Sequence, residues 1–175
     1  LERTAELAAV NAELRLQSAA LQAAANGIMI TDRQGSIQWV NPAFTQMMGY
    51  SAEEVLNQST RMFKTGLQPP EFYQHMWATI LSGQVWRGEL INRHKDGSPY
   101  VEEQTIAPVL NERGEIANFV AVKQDVTERK QAESQREAAL EALRESEGRF
   151  RAIFEQAAVG VAVLETKTGR YVRVN

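Results

Sequence analysis

Just after Gly83 the hydrophobic period of this chain switches from 3.6 to 2, and no other feature constrains its fold as much. Before the switch, "PPEFYQHMWATILSG" places apolar residues at helical spacing, opened by Pro70 and closed by Gly83. After it the period is two, which predicts strands at 86–94, 99–109 and 116–124. "KDGS" and "NERGE" are the turns between them. Strands joined by such short turns pair antiparallel.

The segments upstream add to this sheet. "GIMITDRQGSIQWV" predicts a hairpin with strands at 27–32 and 36–41. "NPAF" starts a short helix that ends near Gly49, with Asn41 as N-cap and Pro42 at the first helical position. Ser51 and Glu54 of "SAEE" are spaced as a capping box. Residues 57–68 read as irregular. Two strands, short helices, then three strands predict an α+β domain, an antiparallel sheet with helices on one face.

Long helices flank this domain. Residues 1–25 lack Gly and Pro, and Leu7, Leu14 and Leu21 recur every seven residues with Val10 between the first two. That is a coiled-coil-like seam or the packed face of an ordinary amphipathic helix. From Asp125 the chain turns helical again, with Ala132, Ala139, Leu143, Phe150 and Ile153 on a seam that Arg136 and Ser146 interrupt. The tail then repeats the beginning. "LQAAANGIMITD-RQGSIQWVN" (21–41) aligns with "FEQAAVGVAVLETKTGRYVRVN" (154–175), pairing Gly27 with Gly160, Gly35 with Gly169 and Asn41 with Asn175. A second copy of the domain therefore begins near residue 154, as in a tandem array with a helical connector. Leu1 is not a natural start and "YVRVN" is not a convincing end, so a longer protein is expected.

Composition excludes several functions. With no cysteine among 175 residues, disulfides, thiolate metal sites and a cysteine nucleophile are ruled out for this segment. A net charge of −3 gives no global attraction to nucleic acid, and Glu89, Glu102 and Glu103 interrupt the basic group Arg87, Arg93, His94 and Lys95. No apolar run approaches the roughly 20 residues of a membrane helix, and no signal peptide is visible. A cytoplasmic location is expected. No Ser-His-Asp set, phosphate-binding glycine loop or metal cluster is present, so this segment is not expected to be an enzyme.

The order hairpin, "NPAFTQMMGYSAEEVLNQ", helix, "NRHKDGSPY", long strand, "NERGEIANFVAVKQDVTERK" resembles the PAS sensory domain with its C-terminal PAC segment. The resemblance divides the chain into an N-terminal signalling helix (1–20), a PAS/PAC domain (21–128), a helical connector (129–153) and the start of a second PAS domain (154–175). It implies a five-stranded sheet, helices enclosing a small-molecule pocket, and homodimers formed through the flanking helices. It also implies an output domain in the same chain: a histidine kinase, a cyclic-dinucleotide enzyme or a chemoreceptor. "DVTERK" resembles the Asp-X-Thr junction at which such a sheet hands over to its output helix, so Asp125 and Thr127 are relay candidates, with Gln104 on the sheet.

Alternation puts Trp86, Gly88, Leu90, Asn92 and His94 on one strand face and Arg87, Glu89, Ile91 and Arg93 on the other. Trp86 could cover a planar ligand and Asn92 offer its amide to a heterocycle; equally, both could serve the core alone. "MWATILSGQVWRGELINRHKDG" resembles flavin-binding PAS domains of nitrogen-fixation redox sensors and aerotaxis receptors, which would make Trp86 and Asn92 flavin contacts. Arg61 and Lys64 would then suit the pyrophosphate of FAD. "NQSTRMFKTG" can be laid on the flavin-adduct motif of LOV photoreceptors. Thr60 then replaces the reactive Cys, whose adduct a hydroxyl cannot form, and Lys123 stands where those domains use a flavin-sensing Gln. Haem would need His75 or His94 as axial ligand, and the surroundings of His75 match haem PAS domains poorly. Glu103 and Thr105 face away from Glu102 and Gln104, so the adjacent carboxylates are no acid–base pair. Two functions remain: a cofactor-bearing redox or ligand sensor, and a ligand-free dimerising scaffold.

Overall fold

The computed structural model describes residues 2–156, 160, 162–164, 166–168 and 171–174. Contacts divide the chain into two units, Leu1–Thr127 and Glu128–Asn175.

The first unit holds helix α1 (Glu2–Ala23), strands β1 (Gly27–Asp32) and β2 (Ile37–Val40), and helices α2 (Pro42–Met48), α3 (Ala52–Val55) and α4 (Pro70–Leu81). Strands β3 (Trp86–Arg93), β4 (Pro99–Leu110) and β5 (Ile116–Asp125) follow. The five strands form one antiparallel sheet ordered β2-β1-β5-β4-β3, so the first hairpin docks on the last strand. Residues 57–68, read as irregular, contain a 3₁₀ turn at Thr60–Phe63 that the Ser59 side chain caps at its N-terminus. Such a turn is too short to show periodicity in sequence.

Asn41 ties hairpin and helices together. Its Oδ1 accepts from the N–H of Phe44 at 2.9 Å, capping α2, and from the N–H of Ile28 at 2.8 Å. Its Nδ2 donates to the carbonyls of Leu21 and Asn26. With 1% exposure, the residue satisfies its amide wholly within the protein. The expected capping box is present, with Ser51 and Glu54 each bonding the other's backbone. Gly49 closes α2 at φ 77°, a left-handed conformation that glycine adopts without a Cβ penalty.

The core lies between the sheet and the short helices, around Ile37, Phe44, Met48, Val55, Phe63 and Ile80. On α1, Leu7, Val10, Leu14 and Leu21 are exposed.

Helix α5 (Thr127–Gln156) begins at the last residue of the first unit and runs three residues past the expected connector end; in the second unit β6 (Ala162–Leu164) pairs antiparallel with β7 (Tyr171–Val174). This hairpin occupies the place the internal repeat assigns to it. Gly169 and Asn175, two of the aligned positions, lie outside the described residues.

Candidate functional site

Between the sheet and the segment 57–80 lies a cavity of about 80 Å³. Its apolar wall includes Met29, Phe63, Met76, Leu90, Ile106 and Phe119. The loop above it is clamped to β3. Thr65 Oγ1 donates to the carbonyl of Ile91 at 2.8 Å, the Arg93 guanidinium donates to the carbonyl of Met62, and Lys64 bridges to Asn92 through the backbone.

The sheet end of the cavity is polar, and strand register explains why. Gln104 lies opposite Lys123, Glu102 opposite both Leu90 and Asp125, and Asn92 opposite Tyr100. Residues opposite one another in an antiparallel pair share a face, so these side chains collect on the inner face. Asn92, Gln104 and Lys123 line the cavity. Glu102, fully buried, lies behind them. Its Oε1 accepts from Lys123 Nζ at 2.7 Å and from Asn92 Nδ2 at 3.0 Å, and its Oε2 accepts from the Tyr100 hydroxyl at 2.5 Å. Burial first, and then the charge and hydrogen bond of Glu102, push the Tyr100 phenol well above its usual range. Tyr100 is therefore the donor in that bond.

Not every polar group here is used up. The Gln104 side chain is 5% exposed, lines the cavity, and has no hydrogen-bond partner among the described residues. Fully enclosed side-chain N and O atoms all have partners, so the Gln104 amide opens onto the cavity. Lys123 gives one of its three N–H groups to Glu102 and to no other acceptor among the described residues. The cavity thus presents donors and one amide acceptor at its inner end.

At the outer side stand Thr60, Arg61 and Lys64. Arg61 is exposed, and Lys64 Nζ lies 3.4 Å from the centre of the Tyr73 ring. Among the described residues neither cation is within ion-pair distance of a carboxylate. Burial first, then the Arg61 charge, lowers the Lys64 pKa below its usual value.

The expected site residues therefore separate. Asn92, Thr60, Arg61, Lys64 and Gln104 line one cavity. Trp86 faces inward as alternation predicts, but it is not on the cavity wall. Its indole lies over Gly88, where an added Cβ would come within 2.6 Å, and it meets Phe72 edge-on at 5.6 Å. Trp86 thus packs in the core against Phe72, the second of the two roles that its strand face allowed. His75 is exposed on α4 and away from the cavity. Asp125 and Thr127 lie at the end of β5. Asp125 Oδ1 accepts from the Thr127 N–H at 2.8 Å, and Thr127 Oγ1 accepts from the Val101 N–H at 2.9 Å.

Tyr100, Glu102 and Lys123 as one buried cluster went unrecognised in the sequence, where Glu102 counted only as half of a rejected pair. Among the described residues no group of three or more His, Asp or Glu could hold a metal, and no helix is long and apolar enough to cross a membrane.

Comparison with known proteins gives this geometry a context. A model of the PAS domain matches residues 25–128, and another matches residues 148–175. Over 107 residues the chain is 40% identical to the nitrogen fixation regulatory protein of Klebsiella pneumoniae, covering 61% of this chain and 22% of that protein. It is 30% identical over 98 residues to the aerotaxis receptor of Escherichia coli, covering 56% of this chain and 19% of the receptor. The structure of an RNA-binding light-oxygen-voltage receptor superposes with a TM-score of 0.65 at 26% identity, over 72% of this chain and 36% of that one. The chain thus spans about a fifth of each of these two curated relatives.

Proposed function

The chain belongs to the PAS domain family, and from that premise we propose that residues 21–128 are the cofactor-bearing sensor of a multidomain signalling protein, with FAD as its pocket ligand. One observation carries this reading: the buried, unpartnered Gln104 amide beside the spare N–H groups of Lys123 on the cavity wall. That donor-rich end suits the carbonyl oxygens of a flavin ring, and the unpaired cations Arg61 and Lys64 suit its pyrophosphate. A bound flavin would supply reversible redox chemistry. The cavity of about 80 Å³ is smaller than the roughly 150 Å³ that holds a benzene, so flavin binding requires side chains of the wall to move outward.

Asn92, Gln104 and Lys123 would hold the ring edge, and Thr60, Arg61 and Lys64 the phosphates. Asp125 and Thr127 would pass a change on the sheet to α5, and a dimeric helical linker would carry it to an output domain. The exposed apolar residues on α1 support dimerisation. A cytoplasmic location accords with this role.

The absorption spectrum of the purified, acid-extracted protein is the test. Flavin absorption in the blue supports the reading, and a Soret band would support haem instead. A featureless spectrum supports the second reading, a ligand-free dimerising scaffold. The small cavity and the packed Trp86 favour that alternative. Light scattering that finds a monomer would refute the dimer.

A further inference from the structure

The buried charge pair is not isolated from the end of the sheet. From Glu102, the Tyr100 hydroxyl leads to a ring that stacks on His94, with centroids 4.3 Å apart and planes 24° from parallel. His94 Nε2 lies 3.9 Å from Asp125 Oδ2, and the other oxygen of Asp125 holds the Thr127 N–H. The Val126 N–H bonds the Val101 carbonyl beside it, so the joint is fastened to β4 as well. Lys123, the first member, faces the cavity, and Asp125, the last, is two residues further along the same strand.

We infer that Lys123, Glu102, Tyr100 and His94 are positioning residues that carry the state of the pocket wall to the Asp125–Thr127 joint where α5 begins. The physical basis is competition for a shared donor. An acceptor group on a ligand that draws Lys123 Nζ toward the cavity removes the only cation within ion-pair distance of Glu102 among the described residues. A carboxylate with no exposure cannot turn to water for compensation. It moves with its remaining donors, Asn92 and Tyr100, and the Tyr100 ring bears on His94. The field at His94 changes at the same time. The charged and titratable groups facing His94 are Asp125 from β5, Tyr100 from β4, and Lys95 and Asp96 of the turn, with Glu54 of α3 paired to Lys95 and Glu102 one step behind Tyr100.

This inference rests on the sensory reading above, and the two fail separately. The test below needs no ligand, and a featureless absorption spectrum would end the flavin reading without touching it.

The test is an NMR pH titration of the full chain, following both histidines and the Thr127 amide. Lys123→Met is expected to raise the His94 midpoint and Glu102→Gln to lower it, each by roughly 0.3 pH units or more. The double variant returns the midpoint close to wild type. His75, exposed on α4, stays fixed throughout. In wild type the Thr127 amide shift follows the His94 midpoint, and His94→Asn abolishes that inflection. If Lys123→Met does not fold, Glu102→Gln against the double variant isolates the Lys123 charge with the same expected sign. Shifts of equal sign, shifts shared by His75, or a Thr127 amide indifferent to His94 would each overturn the inference.

Discussion

Lys123→Met removes one half of an ion pair in which both side chains are almost wholly buried, at 3% and 0% exposure. Glu102 then keeps only the Asn92 amide and the Tyr100 hydroxyl as donors. Removing one partner of a buried pair destabilises by about 3–5 kcal/mol, because the other charge is left uncompensated. Glu102→Gln strands the Lys123 ammonium in the same way and loses a similar amount. The double variant removes both charges together. Gln still offers Asn92 or Tyr100 an acceptor, and the Met stem fills the space of the Lys stem, so its loss is expected to be about 1–2 kcal/mol. For a domain whose whole stability is of order 5–15 kcal/mol, the single variants unfold at clearly lower denaturant and the double variant does not. Urea unfolding followed by tryptophan fluorescence measures this, since Trp39, Trp77 and Trp86 all lie in the first unit. If the double variant's loss equals the sum of the two single losses within about 0.5 kcal/mol, the pair is not energetically coupled and the reasoning is refuted.

Other substitutions report on separate parts of the structure. Asn41→Ala deletes a helix cap together with the ties to β1 and to the residues before it, and should lose about 2–3 kcal/mol in the same unfolding assay. Trp86→Ala should destabilise by about 3–5 kcal/mol as a core truncation. Gln104→Leu should leave stability within about 1 kcal/mol, since it removes a group with no partner, yet lower the flavin bound per purified chain. The Glu54 carboxyl is held below its usual range, first by the hydrogen bond from Lys95 and then by the Ser51 N–H. A depressed carboxyl contributes stability above its unfolded pKa and loses it as pH falls through the folded one. Lys95→Met should therefore lower the neutral plateau slightly and leave stability at the acid end unchanged, which flattens part of the acid limb when urea unfolding is followed across pH.

The fold was legible because its signals are local and redundant. Each strand of the sheet carries its own alternation, and each turn carries a residue suited to it, as Gly97 and Gly114 show with φ of 89° and 75°. Asn41 could be read as a cap from "NPAF" alone, but its bonds to residues 21, 26 and 28 could not, because they depend on how the hairpin folds back. The stretch 57–68 concealed a 3₁₀ turn for the opposite reason: one turn has no period to detect.

The site divided along the same line. Arg61, Lys64, Thr60 and Asn92 were expected as cofactor contacts and Gln104 as a relay residue, and all five line one cavity. For Trp86, alternation assigned a face and not a neighbour. The inner face of β3 is long enough for Leu90 and Asn92 to meet the cavity while Trp86, at the far end, meets Phe72. The Glu102–Lys123 pair lay deeper. In sequence the two are 21 residues apart, and Glu102 sits beside a second carboxylate that draws attention to the wrong comparison. Only part of the signal was present. Counting outward from "NERGE" pairs Leu110 with Ile116 and would set Gln104 against Val122; a register shift between Val109 and Leu110 moves Gln104 to Lys123 and Glu102 to Asp125. A lysine within an otherwise apolar strand face, with a glutamate on the adjacent strand one step along, is what an internal ion pair requires, since neither charge survives burial alone. Cross-strand counting recovers a buried charge cluster of this kind only once the bulge beside the turn is known, because a one-residue slip changes every partner.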